Sequence, residues 1–294
     1  MRVALAYLAV ILIWSTTPLG IKWSGMGPTY VFGAASRMAI GALCVWLTLW
    51  VMGQPLPLNR RALSAYFGAA IHIYGTMMVL YWAAQFIPSG WVSVIFGLTP
   101  LLTALLAAVW LHERSLSPLR LLSYGLGLWG LWAIFGNARL LGEEATWGVT
   151  GTLLASFLQA ASSVWIKRVN AGLPALCLVG GALALSLPAY LLSWWALDGS
   201  WPPRLNRNSL LSIVYLGLIA TPLGFAFYYF VLKHLSATRV SLITLVTPVL
   251  ALLLGHWANG EEISQRVIFG ATLILSALSL HQLADRHWKK RPES

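Results

Sequence analysis

The chain has 294 residues, 59% of them hydrophobic and only 9% charged, whereas a soluble domain carries roughly 25% charged residues. This composition excludes a water-soluble globule and makes a bilayer the solvent. The net charge of +11 invites nucleic acid, but Lys and Arg are scattered between apolar runs with no aromatic-interleaved patch, so no nucleic-acid partner is expected.

Taken in order, the chain opens with Arg2 and an apolar run from Val3 to Trp23. About 20 residues suffice to cross ~30 Å at ~1.5 Å per residue. No small-x-small cleavage site follows, so the run reads as a retained first span and not a signal peptide. Nine further apolar segments follow, giving spans at about 3–23, 29–52, 63–83, 89–111, 119–138, 147–166, 174–197, 209–232, 237–257 and 264–284. Turn chemistry separates them, as in Gly25-Met26-Gly27-Pro28, Gln54-Pro55-Leu56-Pro57 and Trp201-Pro202-Pro203. The runs are too long and too uniformly apolar for the alternating strands of a β-barrel. Sixteen Trp and ten Tyr suit a protein with two membrane–water interfaces. Cys44 and Cys177 lie inside apolar segments and read as small core residues, with neither a metal spacing nor a disulfide framework.

The stretch Ser89–Glu113 recurs as Ala237–Glu261. Without a gap the two share Val92/Val240, Ser93/Ser241, Ile95/Ile243, Thr99/Thr247, Pro100/Pro248, Leu102/Leu250, Leu105/Leu253, Leu106/Leu254 and Glu113/Glu261. A second echo is Ile21-Lys22 at the end of span 1 and Ile166-Lys167 at the end of span 6. Two copies of one five-span unit, each odd in number, insert upside down to one another. The expected fold is therefore an all-α integral membrane protein of ten transmembrane helices in two inverted five-helix repeats. Residues 1–140 and 145–286 form the repeats, and 287–294 a basic cytoplasmic tail.

Orientation follows the positive charges. With the N-terminus inside, the inner side holds Arg2, Arg60, Arg61, Arg114, Arg120, Lys167, Arg168, Lys233, Arg239, Arg286, Lys289, Lys290 and Arg291. The outer side holds Lys22, Arg139, Arg204, Arg207 and Arg266. Both termini are expected in the cytoplasm, in a multi-pass protein of the cell's inner membrane.

A Thr-Pro within an apolar span, followed by a closing Glu and a Ser, occurs twice, and the chain begins Ile13-Trp14-Ser15-Thr16-Thr17-Pro18 with Ile21-Lys22 and Arg37 downstream. In these features it resembles the EamA-like family of the drug/metabolite transporter superfamily over about 3–284. The resemblance implies a central cavity lined mainly by spans 1, 3, 4, 6, 8 and 9, and movement of small organic solutes, often outward. Two departures stand out: the Gly of span 5 falls at Gly125, later than Gly270 does in span 10, and Gln159 stands in span 6 where span 1 has Trp14.

Candidate residues follow from depth and polarity. Pro100 and Pro248 lie in mid-span, where proline removes a donor and kinks a helix, so they are hinge candidates beside the plainer reading of static kinks. Ser93 and Phe96 share a helical face with Thr99, as Ser241 and Thr244 do with Pro248, and that face is expected to look into the cavity; hydroxyls that merely bond their own backbone are the alternative. Trp14, Gln159, Tyr228 and Tyr229 offer aromatic faces and an amide for a small-solute site. His72 is a deep titratable group suited to substrate binding, proton relay or a satisfied core position. Arg37, about 8 residues into span 2, is a buried charge that either attracts an anionic group or pins broken backbone, and the peripheral place of span 2 in the family favours the second role.

The acids Glu113, Glu143, Glu144, Asp198, Glu261, Glu262, Asp285 and Glu293 all fall in loops or at span ends, which removes coupling through a buried carboxylate. Nothing matches an ATP-binding Gly-x-x-x-x-Gly-Lys loop, a zinc-binding His-Glu-x-x-His or a paired-Asp site. The reading is a secondary transporter, without cofactor or metal, that moves a small organic metabolite (an amino acid or a drug-like solute) by alternating access, as an exporter. A lipid-carrier flippase is the alternative, and an intramembrane enzyme a more remote one.

Overall fold

The computed structural model describes residues 2–111, 118–138, 142–202, 204–236, 240, 243 and 246–288. Every element among them is helical. Span 1 is α1 (Arg2–Ser24) and span 2 is α2 (Tyr30–Val51). Span 3 runs α3 (Arg60–Ala70), a π-helical stretch Ile71–Thr76, then α4 (Met77–Ala83). Span 4 is broken into α5 (Ser89–Phe96) and α6 (Thr99–Trp110). Then come α7 (Pro118–Ala138), α8 (Glu144–Val169) and α9 (Ala175–Leu197). Span 8 repeats the pattern of span 3: α10 (Arg207–Tyr215), a π-helical stretch Leu216–Gly224, and α11 (Phe225–His234). The ninth span continues in α12 (Thr247–Asn259) and the tenth is α13 (Gln265–Trp288). Among the described residues seven stretches are long and apolar enough to cross a bilayer, those beginning at Val3, Tyr30, Arg60, Ser89, Glu144, Ala175 and Arg207. With α7, α12 and α13 they make up the all-helical membrane protein of ten spans.

The two halves repeat in detail. Spans 3 and 8 each begin with an Asn-Arg pair in which the Asn is the N-cap: Asn59 accepts from the N–H of Ala62 at 2.9 Å, and Asn206 from that of Ser209 at 2.7 Å. Both then widen into a π-helical stretch. Spans 4 and 9 both restart at Thr-Pro, with the proline in the first turn of the new helix.

Contacts between the loops show that the copies are inverted. Lys22, Met26, Ile87, Asp198, Asn206 and Asn259 meet one another or close neighbours on one face: Thr29 donates to Asp198 at 2.6 Å, Asn206 to the Met26 carbonyl at 2.8 Å, and Trp23 to Asn259 at 2.9 Å. The counterparts lie on the opposite face. There Lys233 donates to the Gly172 carbonyl at 3.0 Å, Cys177 contacts Gln54 at 3.6 Å, and Lys167 lines a shared cleft. Lys22 and Lys167, like Asn206 and Asn59, thus stand at opposite ends of the bundle.

Lipid is as apolar as leucine, so the halves are held by close packing and hydrogen bonds more than by burial of oil from water. Leu5, Leu8 and Leu12 leave an exposed stripe along α1 that suits lipid. Small residues permit the close approaches. A Cβ on Gly130 of α7 would lie 2.7 Å from the Gly270 carbonyl oxygen of α13, so spans 5 and 10 touch backbone to backbone here. Gly125, the glycine that the sequence pairs with Gly270, would meet nothing within 4 Å.

Candidate functional site

A cavity opens where the repeats meet, with about 500 Å³ of empty space counting the part continuous with solvent. Its walls come from span 1 (Trp14, Thr17, Pro18), span 2 (Arg37), span 3 (His72, Met77, Leu80) and span 4 (Val92, Ser93, Phe96). From the second repeat come Gln159 of span 6, Phe225 of span 8 and Thr247 of span 9. Spans 1, 3, 4, 6, 8 and 9 are those that the resemblance implies; span 2 is added through Arg37. A second cleft of similar volume, between Ala65, Lys167, Gly172, Tyr229 and Lys233, lies at the loop end of the bundle. The first is the better site, because deep polar groups converge on it.

The aromatic wall is built around His72. The π-helical stretch turns its ring inward, fully buried, with the Phe225 ring at 5.1 Å, Tyr228 at 5.3 Å and Trp14 at 6.0 Å, all edge-on. Trp14 and Tyr228 stack at 4.9 Å. The Tyr228 hydroxyl is 2.5 Å from that of Ser163, and His72 Nδ1 faces the Tyr229 hydroxyl at 3.4 Å. The stretch is also held from the other repeat, where Tyr190 of span 7 donates to the Ile73 carbonyl at 2.7 Å.

The polar part has unmet capacity. Arg37, only 2% exposed, donates from Nε to the Thr221 hydroxyl of span 8 at 2.9 Å. Arg37 Nη1, His72 Nε2 and Gln159 Oε1 are buried without a hydrogen-bond partner among the described residues. Three orphaned polar atoms around one cavity are costly unless something enters to meet them.

The structure thus gathers Trp14, Arg37, His72, Ser93, Phe96 and Gln159 around one space, with Tyr228 stacked behind Trp14. Ser241 and Thr244 lie outside the described residues. Thr99 bonds its own backbone, donating to the Phe96 carbonyl at 2.6 Å, a group that Pro100 cannot serve because it lacks an N–H. The prolines also need a correction. Sequence places Pro100 and Pro248 in mid-helix as kinks, but each sits in the first turn of a helix, one beginning at Thr99 and one at Thr247, where a missing N–H costs nothing. The two breaks adjoin: a Cβ on Gly97 would lie 3.7 Å from the Pro248 ring. Met77, Leu80, Val92 and Phe225 were not foreseeable, since nothing distinguishes them from other apolar residues of their spans.

Glu261 has a different role from the cavity groups. Pro88 precedes α5 and offers no side-chain cap. Glu261 caps that helix from the other repeat, accepting from the N–H of Ser89 at 2.9 Å and of Gly90 at 3.1 Å, and from Asn259 at 3.0 Å, with Lys22 at 4.0 Å. Burial pushes the carboxyl up, but the N–H groups of Ser89 and Gly90 and the Asn259 amide outweigh it and leave Glu261 below its ordinary range. Gly255 makes room, since a Cβ there would lie 2.4 Å from the carboxylate. Lys22 also donates to the Ile87 carbonyl at 3.1 Å, so spans 1, 3, 4 and 9 are tied together on this face.

Among the described residues no three His, Cys, Asp or Glu side chains are grouped as a metal would need. The model of the EamA-like transporter family matches residues 1–136 and again 146–281. Among relatives, an uncharacterized transporter of Bacillus subtilis, YoaV, is 24% identical over 282 residues, covering 95% of this chain and 96% of its own. The uncharacterized inner membrane transporter YedA of Escherichia coli K12 is 24% identical over 289 residues, covering 98% and 92%. A probable amino-acid metabolite efflux pump of the same strain is 24% identical over 296 residues, covering 96% and 95%. A solved crystal structure aligns over 97% of this chain and 99% of its own with a TM-score of 0.69 at 23% identity, which speaks for the fold alone. Matched in both halves, the chain belongs to the EamA-like transporter family, a multi-pass membrane protein that transports and is not an enzyme.

Proposed function

We propose that this protein is a secondary transporter that exports a small organic metabolite, an amino acid or a drug-like solute, by alternating access. The observation that carries the reading is the shared cavity: both repeats line it, and three buried polar atoms on its wall have no partner among the described residues. His72, the thirteenth of the 24 residues Arg60–Ala83, puts it near mid-span. The names of the Escherichia coli efflux pump and inner membrane transporter support outward movement and the inner membrane. The excess of Lys and Arg in the loops after spans 2, 4, 6 and 8 and at the chain's ends supports cytoplasmic termini, with 1–140 and 145–286 as the moving halves and 287–294 as an inner tail.

In this reading the faces open in turn. The Glu261 cap holds one face shut, and the breaks at Pro100 and Pro248 are the hinges about which the half-helices tilt. Energy comes from solute or ion gradients. The test is flux in proteoliposomes loaded with a mixture of amino acids and small drug-like solutes. At least one solute should leave faster than from protein-free vesicles, and Pro100→Ala, which lets the helix heal across its break, should slow it without reducing the amount of protein. Release of no solute would contradict the transporter reading, and an unchanged rate in the variant would remove the hinge.

A further inference from the structure

We propose that the cavity is selective for small organic carboxylates that also carry an amine or hydroxyl group, and that Arg37 is the residue that binds the carboxylate. This rests on the transporter reading of the same cavity and adds the charge and shape of its solute.

Arg37 is the one charged side chain on the cavity wall. Its backbone and side chain are both fixed. Gly41 and Gly217 let α2 lie directly against the π-helical stretch of span 8, and Thr221 holds Nε at 2.9 Å. Of the other two nitrogens, Nη1 is buried without a partner among the described residues. No acid can neutralise it from within the bundle, since all eight Asp and Glu of the chain fall in loops or at span ends. The one ion pair among the described residues, Lys22 with Glu261, is on the loop face. A guanidinium in low dielectric without a counter-ion is a strong unmet demand, and water meets its hydrogen bonds but not its charge. A carboxylate meets both, through a charge-assisted bond.

Gln159 Oε1 sets the second requirement. It is an acceptor, buried and unpaired on the same wall, so the solute must bring a donor besides its carboxylate. Trp14, Met77, Leu80, Val92, Phe96 and Phe225 leave mostly apolar surface for the rest of the molecule. The class is therefore amino or hydroxy acids with an apolar body. Lipophilic cations are rejected, because the cavity holds a positive charge and no negative one.

The experiment uses four compounds with one apolar body: leucine, 2-hydroxy-4-methylpentanoate, leucinamide and isopentylamine. Each competes against flux of the solute found to move in the proteoliposome assay, and each is tested for thermal stabilisation of the purified full-length protein. The two acids should act at concentrations roughly ten- to a hundredfold lower than the amide and the amine, the worth of one hydrogen bond to a charged group. Arg37→Gln should erase that difference. Gln159→Glu, which leaves Arg37 and its anchor in place, should weaken the acids and admit the amine, so the claim does not depend on one variant folding. Equal action of acids, amide and amine overturns the proposal, as does an Arg37→Gln protein that keeps the preference. If a neutral or cationic solute moves and neither acid competes, the carboxylate assignment fails and the transporter reading stands; if nothing moves, the transporter reading itself fails.

Discussion

Glu261→Gln should release the face of the bundle that bears it. The wild-type carboxylate accepts the first two N–H groups of α5 and the Asn259 amide. Hydrogen bonds to a charged group contribute about 1.5–3 kcal/mol each, and a negative charge at a helix N-terminus about 0.3–1 kcal/mol more. Glutamine keeps the size but loses the charge, and its NH₂ opposes an N–H where the second carboxylate oxygen stood. The closed-to-open ratio should fall roughly ten- to a hundredfold, the equivalent of losing one such bond. Nitroxide labels at Met26 and Glu262, both exposed, read this as growth of a longer-distance population. An unchanged distance distribution would show that the cap is not a latch. The pH dependence has a definite sign. The net effect of the surrounding donors lowers the Glu261 carboxyl below its ordinary range. Its support for closure is therefore fully present above that range and is lost only as the pH falls through the lowered value. The distances should accordingly hold steady through mildly acidic conditions and lengthen below them.

Gly41→Val should be the most damaging change in span 2. A Cβ at residue 41 would lie 2.5 Å from Thr221 Cγ2 and 2.8 Å from its Cβ, and one at residue 217 would lie 2.7 Å from Ile40 Cβ. Thr221 is β-branched and its Cβ is fixed by the backbone, so it cannot swing aside. The spans must separate, at an overpacking cost of about 1–3 kcal/mol. Arg37 loses its bond to Thr221, a further ~1.5–3 kcal/mol for a charged partner. The melting temperature should fall and flux should collapse, while Gly125→Ala, whose Cβ meets nothing, should change neither. Gly41→Ala should be milder, and Thr221→Ser beside it should restore part of the stability, since it removes the nearest methyl and keeps the hydroxyl. A Gly41→Val protein as stable and active as the parent would refute the close span 2–span 8 contact.

The architecture was legible because bilayer thickness fixes span length and because one repeat leaves matching marks. Thr99-Pro100 and Thr247-Pro248 revealed the copies, and Lys22 and Lys167 their ends. Asn59-Arg60 and Asn206-Arg207 carried the same information at the starts of spans 3 and 8, but a polar pair at a loop edge looks ordinary until its capping bond is seen. Depth and polarity picked out Trp14, His72 and Gln159, since a polar group in mid-span is expensive wherever it points. Three features were not legible. Helical periodicity does not reveal π-helical turns, so the inward aim of His72 was hidden. Proline in mid-span suggests a kink, and only the backbone shows a helix ending before it. The role of Arg37 depends on Thr221, far away in sequence, and on two glycines whose partners lie in another span.

The most direct test of the whole account is accessibility at Ser93, on the cavity wall. Ser93→Cys, with Cys44 and Cys177 replaced by Ala, is labelled by a membrane-impermeant thiol reagent from either side of sealed vesicles. Alternating access predicts reaction from both sides and a trade between them: adding Glu261→Gln should raise the rate from the Glu261 side and lower it from the other. Rates that rise together on both sides, or a cysteine reached from one side alone in every variant, would contradict it.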